Sequence, residues 1–426
     1  MAFSFIHTAD IHLGRPFSDL SILNDKMEIC NQACNKSFNK IVDTAIEKHV
    51  DFVLVAGDSF DSEEHDLSSK LLFINNLKKL ADKGIKSYVI CGNHDPIELY
   101  KKYRNYFKFN DNYNEMISIV GVNTEKNIGV FRYNDEVVIN AISFETESDS
   151  NPTELLKKLG KDDNVFNIGL IHCDLDKTES KYAPCSREDL KSLDYDYYAL
   201  GHIHIPDYKE KNIVYAGSPQ GRTRKETDAH GFYYVQVDNK KIINKEFIES
   251  DIVRFLKVDV DCSNIENLAD VFDEIISVVN SNYQNVEMNL FEVTLTGITK
   301  VYEDLIKQED LLSEFIKSCS DNERNNVAVY SIVNGTKPNV DIDELMEDKG
   351  VIGIITKSFS EKSAIDMEQV YDEIVGLHES IYKNLNLEPD VKKELIENLV
   401  DNKENLLEMA SNEAITMCKE IYNLEV

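Results

Sequence analysis

The chain has 426 residues, of which 42% are hydrophobic and 9% aromatic, enough for roughly two to three domains with cores of their own. It carries 46 Lys and Arg against 77 Asp and Glu, a net charge of −31, which excludes a protein that grips nucleic acid through a broad cationic surface. No segment has the length and purity of a membrane helix, and Met1 to Ile6 lacks the basic and apolar regions of a secretion signal. The eight cysteines are scattered without a CxxC pair, and Cys30 and Cys34, on one helical face, suit burial better than zinc. The expectation is a reduced, cytoplasmic protein with no membrane association.

Phe3 to Thr8 reads as a first strand. Lys26 to His49 has helical periodicity, with Met27, Cys30, Cys34, Phe38, Val42 and Ile46 along one side. Phe52 to Ala56 is a continuous apolar run, the pattern of a strand buried on both faces. A helix over Leu67 to Leu80 and a strand over Lys86 to Cys91 complete a βαβαβ opening, which predicts helices packed on a largely parallel sheet. Strands near Ile117–Val120, Gly129–Tyr133 and Val137–Ser143 read as an antiparallel meander. A helix follows over Thr153–Leu159, then a buried strand over Phe166–Ile171 and a capping box at Ser186–Asp189. Strands at Tyr197–Leu200, Ile213–Ala216, Phe232–Val237 and Ile242–Phe247 bring the number to what two packed sheets require, with helices outside.

The pattern changes near Ser250–Arg254. Alternation at Leu256, Val258 and Val260, helical spacing from Ile265 to Val279, and further strands at Phe291–Leu295 and Val327–Val333 predict a small α+β domain. From about Asp341 an acidic linker leads to a helical tail with three apolar stripes. These are Ile374, Leu377, His378 and Ile381; then Val391, Leu395, Ile396, Leu399 and Val400; then Leu406, Ala410, Ala414, Met417 and Ile421. The expected division is 1–252, 253–340 and 341–426.

Chemistry concentrates at five predicted strand ends: Asp10 with His12, Asp58 with Asp61, Asn93 with His94, His172, and His202 with His204. Parallel strands would gather these groups on one edge. Carboxylate oxygens, an amide oxygen and several imidazoles suit Mn²⁺, Fe²⁺ or Zn²⁺ better than Ca²⁺, which prefers oxygen alone. The donors outnumber what one ion needs, so the expectation is two metals bridged by a carboxylate, able to clamp a phosphate and activate a shared water.

Asp10-x-His12, Gly57-Asp58-x-Phe60-Asp61, Gly92-Asn93-His94-Asp95, the strand-end His172 and Gly201-His202-x-His204 resemble the motif series of calcineurin-like metallophosphoesterases. The stretch Phe5 to Gly14 and the form Gly-Asp-x-Phe-Asp are similar to the SbcD-type DNA repair exonuclease branch. Tyr182 to Leu190, Ile213 to Ser218 and Gln220 to Arg222 are similar to its bacterial YhaO-like members. The likeness covers about residues 1–250.

It implies a four-layer α-β-β-α sandwich with a small α+β capping domain and a helical C-terminal tail. It implies that Asp10, His12 and His204 hold one ion, that Asn93, His172 and His202 hold the other, and that Asp58 bridges them. Mn²⁺ is the first choice, with Fe²⁺, Zn²⁺ or Mg²⁺ as alternatives. His94 would be no ligand; it would contact the scissile phosphate and help protonate the leaving oxygen. An unliganded imidazole beside metals is worth most as such a proton donor. Asp61 stands where some nuclease members have a histidine, and would orient a ligand or water. His7 reads as a strand residue, and His49, His65, His230 and His378 as structural.

Arg222, Arg224 and Lys225 form a short basic stretch that serves either as a solvated loop or, with Arg15, as a DNA-backbone contact. The tail helices either pack on their own domain or dock onto an SMC-type coiled-coil ATPase of the SbcC kind, as the resemblance implies; a homodimer is also open. The function expected is DNA phosphodiester hydrolysis by an end-processing exonuclease or endonuclease subunit. The alternatives are a nucleotide or small-molecule phosphodiesterase and a non-catalytic scaffold on the same fold.

Overall fold

A computed structural model describes residues 2–15, 17, 27–61, 67–102, 107, 109, 111–146, 151–177, 179–207, 211–307, 312, 315, 326–339 and 342–347, with isolated positions between 356 and 417. The chain divides into two compact units. The first is Met1–Leu256 with Gln284–Leu290 and Ser320–Tyr330; the second is Lys257–Tyr283, Phe291–Cys319 and Ser331–Val426.

The first unit opens with β1 (Phe3–Thr8), α1 (Met27–Glu47), β2 (Phe52–Ala56), α2 (Leu67–Ala81) and β3 (Lys86–Ile90). Two short helices, α3 (Ile97–Lys102) and α4 (Asp111–Asn114), precede β4 (Ile117–Ile119). Then come β5 (Ile128–Tyr133), β6 (Val137–Ile142), α5 (Thr153–Leu159), β7 (Phe166–His172), α6 (Arg187–Leu193), β8 (Tyr197–Gly201), β9 (Ile213–Tyr215), β10 (Gly231–Asp238) and β11 (Lys241–Glu249). They make two sheets, ordered β11-β10-β1-β2-β3-β4 and β5-β6-β7-β8-β9. β1 to β4 run parallel in the first sheet and β6 to β9 run parallel in the second.

Alternation along β2 shows how the layers form. Phe52, Leu54 and Ala56 face the second sheet, in a core shared with Ile139, Ile168, Tyr197 and Ala199. Val53 and Val55 face the other way, onto Phe38, Ile41 and Val42 of α1 and Phe73 and Leu77 of α2. Both faces are buried, so the run is apolar throughout. On the outside of the second sheet, Leu156 of α5 and Leu190 of α6 pack with Ile171, Leu200 and Ile213. The result is a four-layer α-β-β-α sandwich. Ser186 caps α6 by accepting the Asp189 N–H, as the capping box predicts.

One expectation fails. Residues 117–143 are not an antiparallel meander: only β5 and β6 pair antiparallel, while β4 lies parallel to β3 at the edge of the other sheet. The turn after β4 redirects the chain. Gly121 adopts φ +83°, Asn123 Oδ1 accepts the Ile119 N–H at 2.7 Å, and Thr124 Oγ1 accepts the Gly121 N–H at 2.8 Å. Local alternation marks a strand but carries no information about which sheet has an open edge.

After the sandwich a three-stranded sheet is formed by β12 (Val253–Asp261), β13 (Met288–Thr296) and β15 (Val327–Asn334). Asn267 caps α7 (Leu268–Ser281), which buries Val271, Ile275 and Val279. β14 (Ile298–Thr299) pairs parallel with β16 (Lys337–Pro338), and the short helices α8 (Tyr302–Lys307) and α9 (Ile342–Glu347) complete the second unit. Of the expected tail stripes, Ala410, Ala414 and Met417 are helical; the other stripe residues, like His65 and His378, lie outside the described residues. Among the described residues no helix is long and apolar enough to cross a membrane.

His7 stitches the two sheets. Its Nε2 lies 3.2 Å from the Leu200 carbonyl and its Nδ1 3.0 Å from the Tyr197 hydroxyl. The carbonyl can only accept, so the proton sits on Nε2 and Tyr197 donates to Nδ1. Burial pushes the imidazole down to about 3. The unfolded chain therefore takes up a proton near pH 6.5 that the folded chain refuses, so stability is full above that pH and is lost as pH falls toward 3. Replacing His7 with Gln should reduce the pH dependence of stability between pH 6 and 4 by about one proton, at most about 1.4 kcal/mol per pH unit. Urea midpoints of the metal-free protein measure this, and equal slopes for the two proteins would contradict it.

Candidate metal centre

The first three motifs follow β1, β2 and β3, and His172 and Gly201-His202-x-His204 follow β7 and β8. Because these strands are parallel within each sheet, all five loops leave from C-terminal strand ends, and the stacked sheets bring them together. Four centre residues adopt positive φ: Asp10 (51°), His12 (48°), Asp58 (49°) and His202 (106°). Such backbone costs on the order of 1–3 kcal/mol each and persists only where its surroundings enforce it. Glycine is required where loops touch. A Cβ on Gly92 would lie 2.2 Å from Asp58 Oδ1, and one on Gly201 would lie 1.9 Å from the Ala56 carbonyl oxygen.

Three sets of side chains each bring their donor atoms within 4.8 Å of one another: Asp10, His12 and His204; Asp10, Asp58 and His172; and His12, Asp61 and His94. Asn93 joins them, its Oδ1 lying 3.0 Å from His172 Nε2 and 3.1 Å from His202 Nδ1. The tautomers decide what these contacts mean. His172 Nδ1 lies 2.9 Å from the Ala56 carbonyl and must donate to it. In the neutral ring its Nε2 is then a lone pair facing an amide oxygen, acceptor against acceptor. His204 Nδ1 likewise contacts the Glu226 carboxylate, so its Nε2 is a lone pair 3.2 Å from His12 Nε2. The buried His12 Nδ1 lies 3.4 Å from Asp61 Oδ1, so a proton on Nδ1 faces that carboxylate and leaves Nε2 as a lone pair toward His204. Lone pairs converging without protons between them fit divalent cations.

The electrostatics set burial against the attraction of opposite charges. Burial raises the Asp10 carboxyl. Burial also works against ionised Asp58, but the imidazoles of His172, His12 and His94 outweigh it and hold that carboxyl far below the usual range. His172 in turn is raised to about 9, burial being outweighed by the Asp58 charge and the 3.4 Å contact with it, so with no cation present a second proton takes the place on Nε2 that a metal would occupy.

His94 is placed differently. It is 38% exposed, its backbone N–H donates to Asp58 Oδ1 at 2.9 Å, and its Nδ1 lies 2.9 Å from Asp61 Oδ1. Asp61 therefore fixes the ring and leaves Nε2 turned away from its carboxylate. Arg15 grips the same carboxylate through Nε at 3.0 Å and Nη1 at 3.3 Å.

The basic stretch splits. Arg224 and Lys225 are exposed, but Arg222 is only 2% exposed, with Nε and Nη1 lacking hydrogen-bond partners among the described residues. The three do not form one surface patch. Gln220 draws this segment inward, accepting the Ile252 N–H at 2.7 Å and donating to the Val253 carbonyl at 2.6 Å.

Three residues at the centre escape a reading of the sequence. Asp95 is fully buried: its Oδ1 accepts the N–H groups of Gly92 (2.7 Å) and Asp58 (3.1 Å), and its Oδ2 accepts Ser59 N–H (2.8 Å) and Tyr100 O–H (3.0 Å). One carboxyl thus ties the Asp58 loop to the Asn93 loop. Burial, then the Asp58 charge, push it up to about 7. Its only sequence signal is its place in the Gly-Asn-His-Asp turn. Glu226 is masked by the cations before it, and Asp174, 3.7 Å from His202 Nε2, stands two residues after the strand-end His172 with no motif of its own. Removing the Asp95 carboxyl strands four buried donors, so Asp95→Ala should lower unfolding stability by about 3 kcal/mol or more. Denaturant unfolding would show this; a loss under about 1 kcal/mol would mean the loops do not depend on the clamp.

Residues 3–206 match the family model of calcineurin-like phosphoesterases. The chain is 30% identical over 283 residues to the uncharacterized metallophosphoesterase YhaO of Bacillus subtilis, covering 63% of this chain and 65% of that one, just under two thirds of its length. It is 25% identical over 398 residues to the DNA double-strand break repair protein Mre11 of Methanococcus maripaludis, covering 89% and 95% of the two chains. It is 24% identical over 335 residues to the SbcD subunit of the nuclease SbcCD of Staphylococcus epidermidis, covering 72% and 82%. The parallel strands that carry the ring of carboxylates and imidazoles thus lie within the residues that match calcineurin-like phosphoesterases, and the chain is similar to a metallophosphoesterase, a DNA double-strand break repair protein and a nuclease subunit.

Proposed function

We propose that the protein is a two-metal phosphodiesterase acting on DNA, an end-processing nuclease subunit that works with an SMC-type ATPase. The observation that carries the metal part is the convergence of ligand-type donor atoms at two places, Asn93 with His172 and His12 with His204. In this reading Asp10, His12 and His204 hold one ion, Asn93, His172 and His202 hold the other, and Asp58 serves both. Mn²⁺ fits this mix of oxygen and imidazole donors best. Ions bound there would polarise the phosphate and activate the attacking water.

The chain's own residues supply the rest. Asp61 holds the His94 Nδ1–H, so Nε2 is the nitrogen free to give a proton to the leaving oxygen. Arg15, anchored on Asp61, adds a half-exposed cation beside that ring. Arg224 and Lys225 are the exposed cations of the turn that Glu226 closes, and we assign them backbone-phosphate contact. DNA as substrate is supported by the Mre11 and SbcCD relatives, whose names state repair and nuclease roles. We also retain the division at 252 and 340, with the tail as the partner-binding region and the cytoplasm as the place of action.

A second reading, a phosphodiesterase of nucleotides or other small molecules, is favoured by the net charge of −31 and by the burial of Arg222. Mn²⁺-dependent hydrolysis of linear duplex DNA and of a dinucleotide should separate them. DNA cleavage is expected to dominate, and His94→Ala should lower it by about 10²- to 10⁴-fold while bound metal is unchanged. Full activity in that variant would remove His94 from the chemistry, and activity on the dinucleotide alone would favour the second reading.

For the partner, truncation after Ser360 should leave metal-dependent hydrolysis intact and abolish co-purification with the ATPase. Co-purification that survives truncation would refute the assignment.

A further inference from the structure

We propose that Glu226 is a positioning residue for His204, and that its carboxylate makes the basic turn 222–225 and this imidazole a single mechanical unit. The inference rests on the metal centre proposed above and adds to it a residue that no motif contains.

Glu226 is 8% exposed and its carboxylate is fully engaged. Oε1 meets His204 Nδ1, while Oε2 accepts the Arg222 N–H at 2.6 Å and the Thr223 N–H at 3.2 Å. An ionised carboxylate only accepts, so the proton of the His204 ring must sit on Nδ1. That leaves Nε2 as the lone pair that faces His12. The main chain of His204 is held separately, its carbonyl accepting the Ser218 N–H at 2.8 Å. What remains loose is rotation of the ring, and Glu226 restrains it. His172 receives the same service from a main-chain carbonyl in a strand; His204 receives it from a side chain on a turn. The orientation of this one imidazole therefore depends on a turn that carries exposed Arg224 and Lys225. Carboxylates that hold a ligating histidine in this way change metal affinity by about 10- to 100-fold when removed.

Glutamine at 226 inverts the logic. With its oxygen kept by the Arg222 and Thr223 N–H groups, its amide would donate to His204 Nδ1 and drive the ring proton onto Nε2. Titration of the full-length, metal-free protein with Co²⁺ tests this, read by calorimetry and visible absorption. The wild type is expected to take up two ions. Glu226→Gln should weaken one of the two steps by about 10- to 100-fold, alter the visible spectrum and leave the other step unchanged. Glu226→Gln added to His204→Ala should weaken binding no further than His204→Ala alone. An independent measurement needs no variant at 226. Ring ¹⁵N shifts of histidine-labelled wild-type protein, assigned with His204→Ala, should report the Nδ1–H tautomer, and an Nε2–H tautomer would overturn the proposal. Two undiminished steps in Glu226→Gln, with two in the wild type, would overturn this inference alone. A wild type that takes up no Co²⁺ would overturn the centre and this inference with it.

Discussion

At the meeting of two sheets, an amide oxygen and two ring nitrogens converge within about hydrogen-bond distance, and the nearer ring, His172, gives its Nδ1 proton elsewhere, which leaves Nε2 to a second proton or a cation. The same happens where His12 and His204 face each other. Acceptor atoms packed this closely repel one another, and a fold tolerates this only where packing forces it and a proton or a cation relieves it. The constraint runs back into the architecture. Asn93 follows β3 in one sheet, while His172 and His202 follow β7 and β8 in the other. The contact exists only because the sheets stack with their strand ends aligned, and that alignment is held by the shared apolar layer from Phe5 and Leu54 to Ile168 and Tyr197.

The loops add their own cost. Asp10, His12, Asp58 and His202 sit in backbone conformations that side-chain-bearing residues rarely adopt. What holds them is a set of buried hydrogen bonds aimed at main-chain donors. Asp95 ties Asp58 and Ser59 to Gly92, Asp10 accepts the His202 N–H through both carboxylate oxygens at 3.1 Å, and Glu226 closes the turn after His204. Carboxylates outnumber the protein cations that could neutralise them here, which is how a rigid cation-binding cavity differs from an ordinary polar core.

Much of this was legible in the amino-acid order because it is local. An apolar run ending in Gly-Asp or Gly-Asn-His declares a strand and the turn that follows it, and the five strand ends could be read without any partner. The period-2 and period-3.6 patterns likewise placed the βαβαβ opening and the helices outside. What was not legible depends on distant partners. The edge to which Ile117–Ile119 would pair follows from vacancies in another sheet, so the meander reading failed. Arg222 looked like one cation among three, and only packing shows it drawn inside by Gln220. Asp95 and Glu226 serve groups whose orientation a sequence does not display.

The His12–His204 contact joins positions 192 apart, and the His172–Asn93 contact joins positions 79 apart. Chain closure over such spans is slow and waits on the elements between. Until the elements between have packed, the chain offers a cation only separate weak donors. The donor set is complete once β8 lies in the second sheet, so any selection among ions would be a property of the folded domain rather than of its segments.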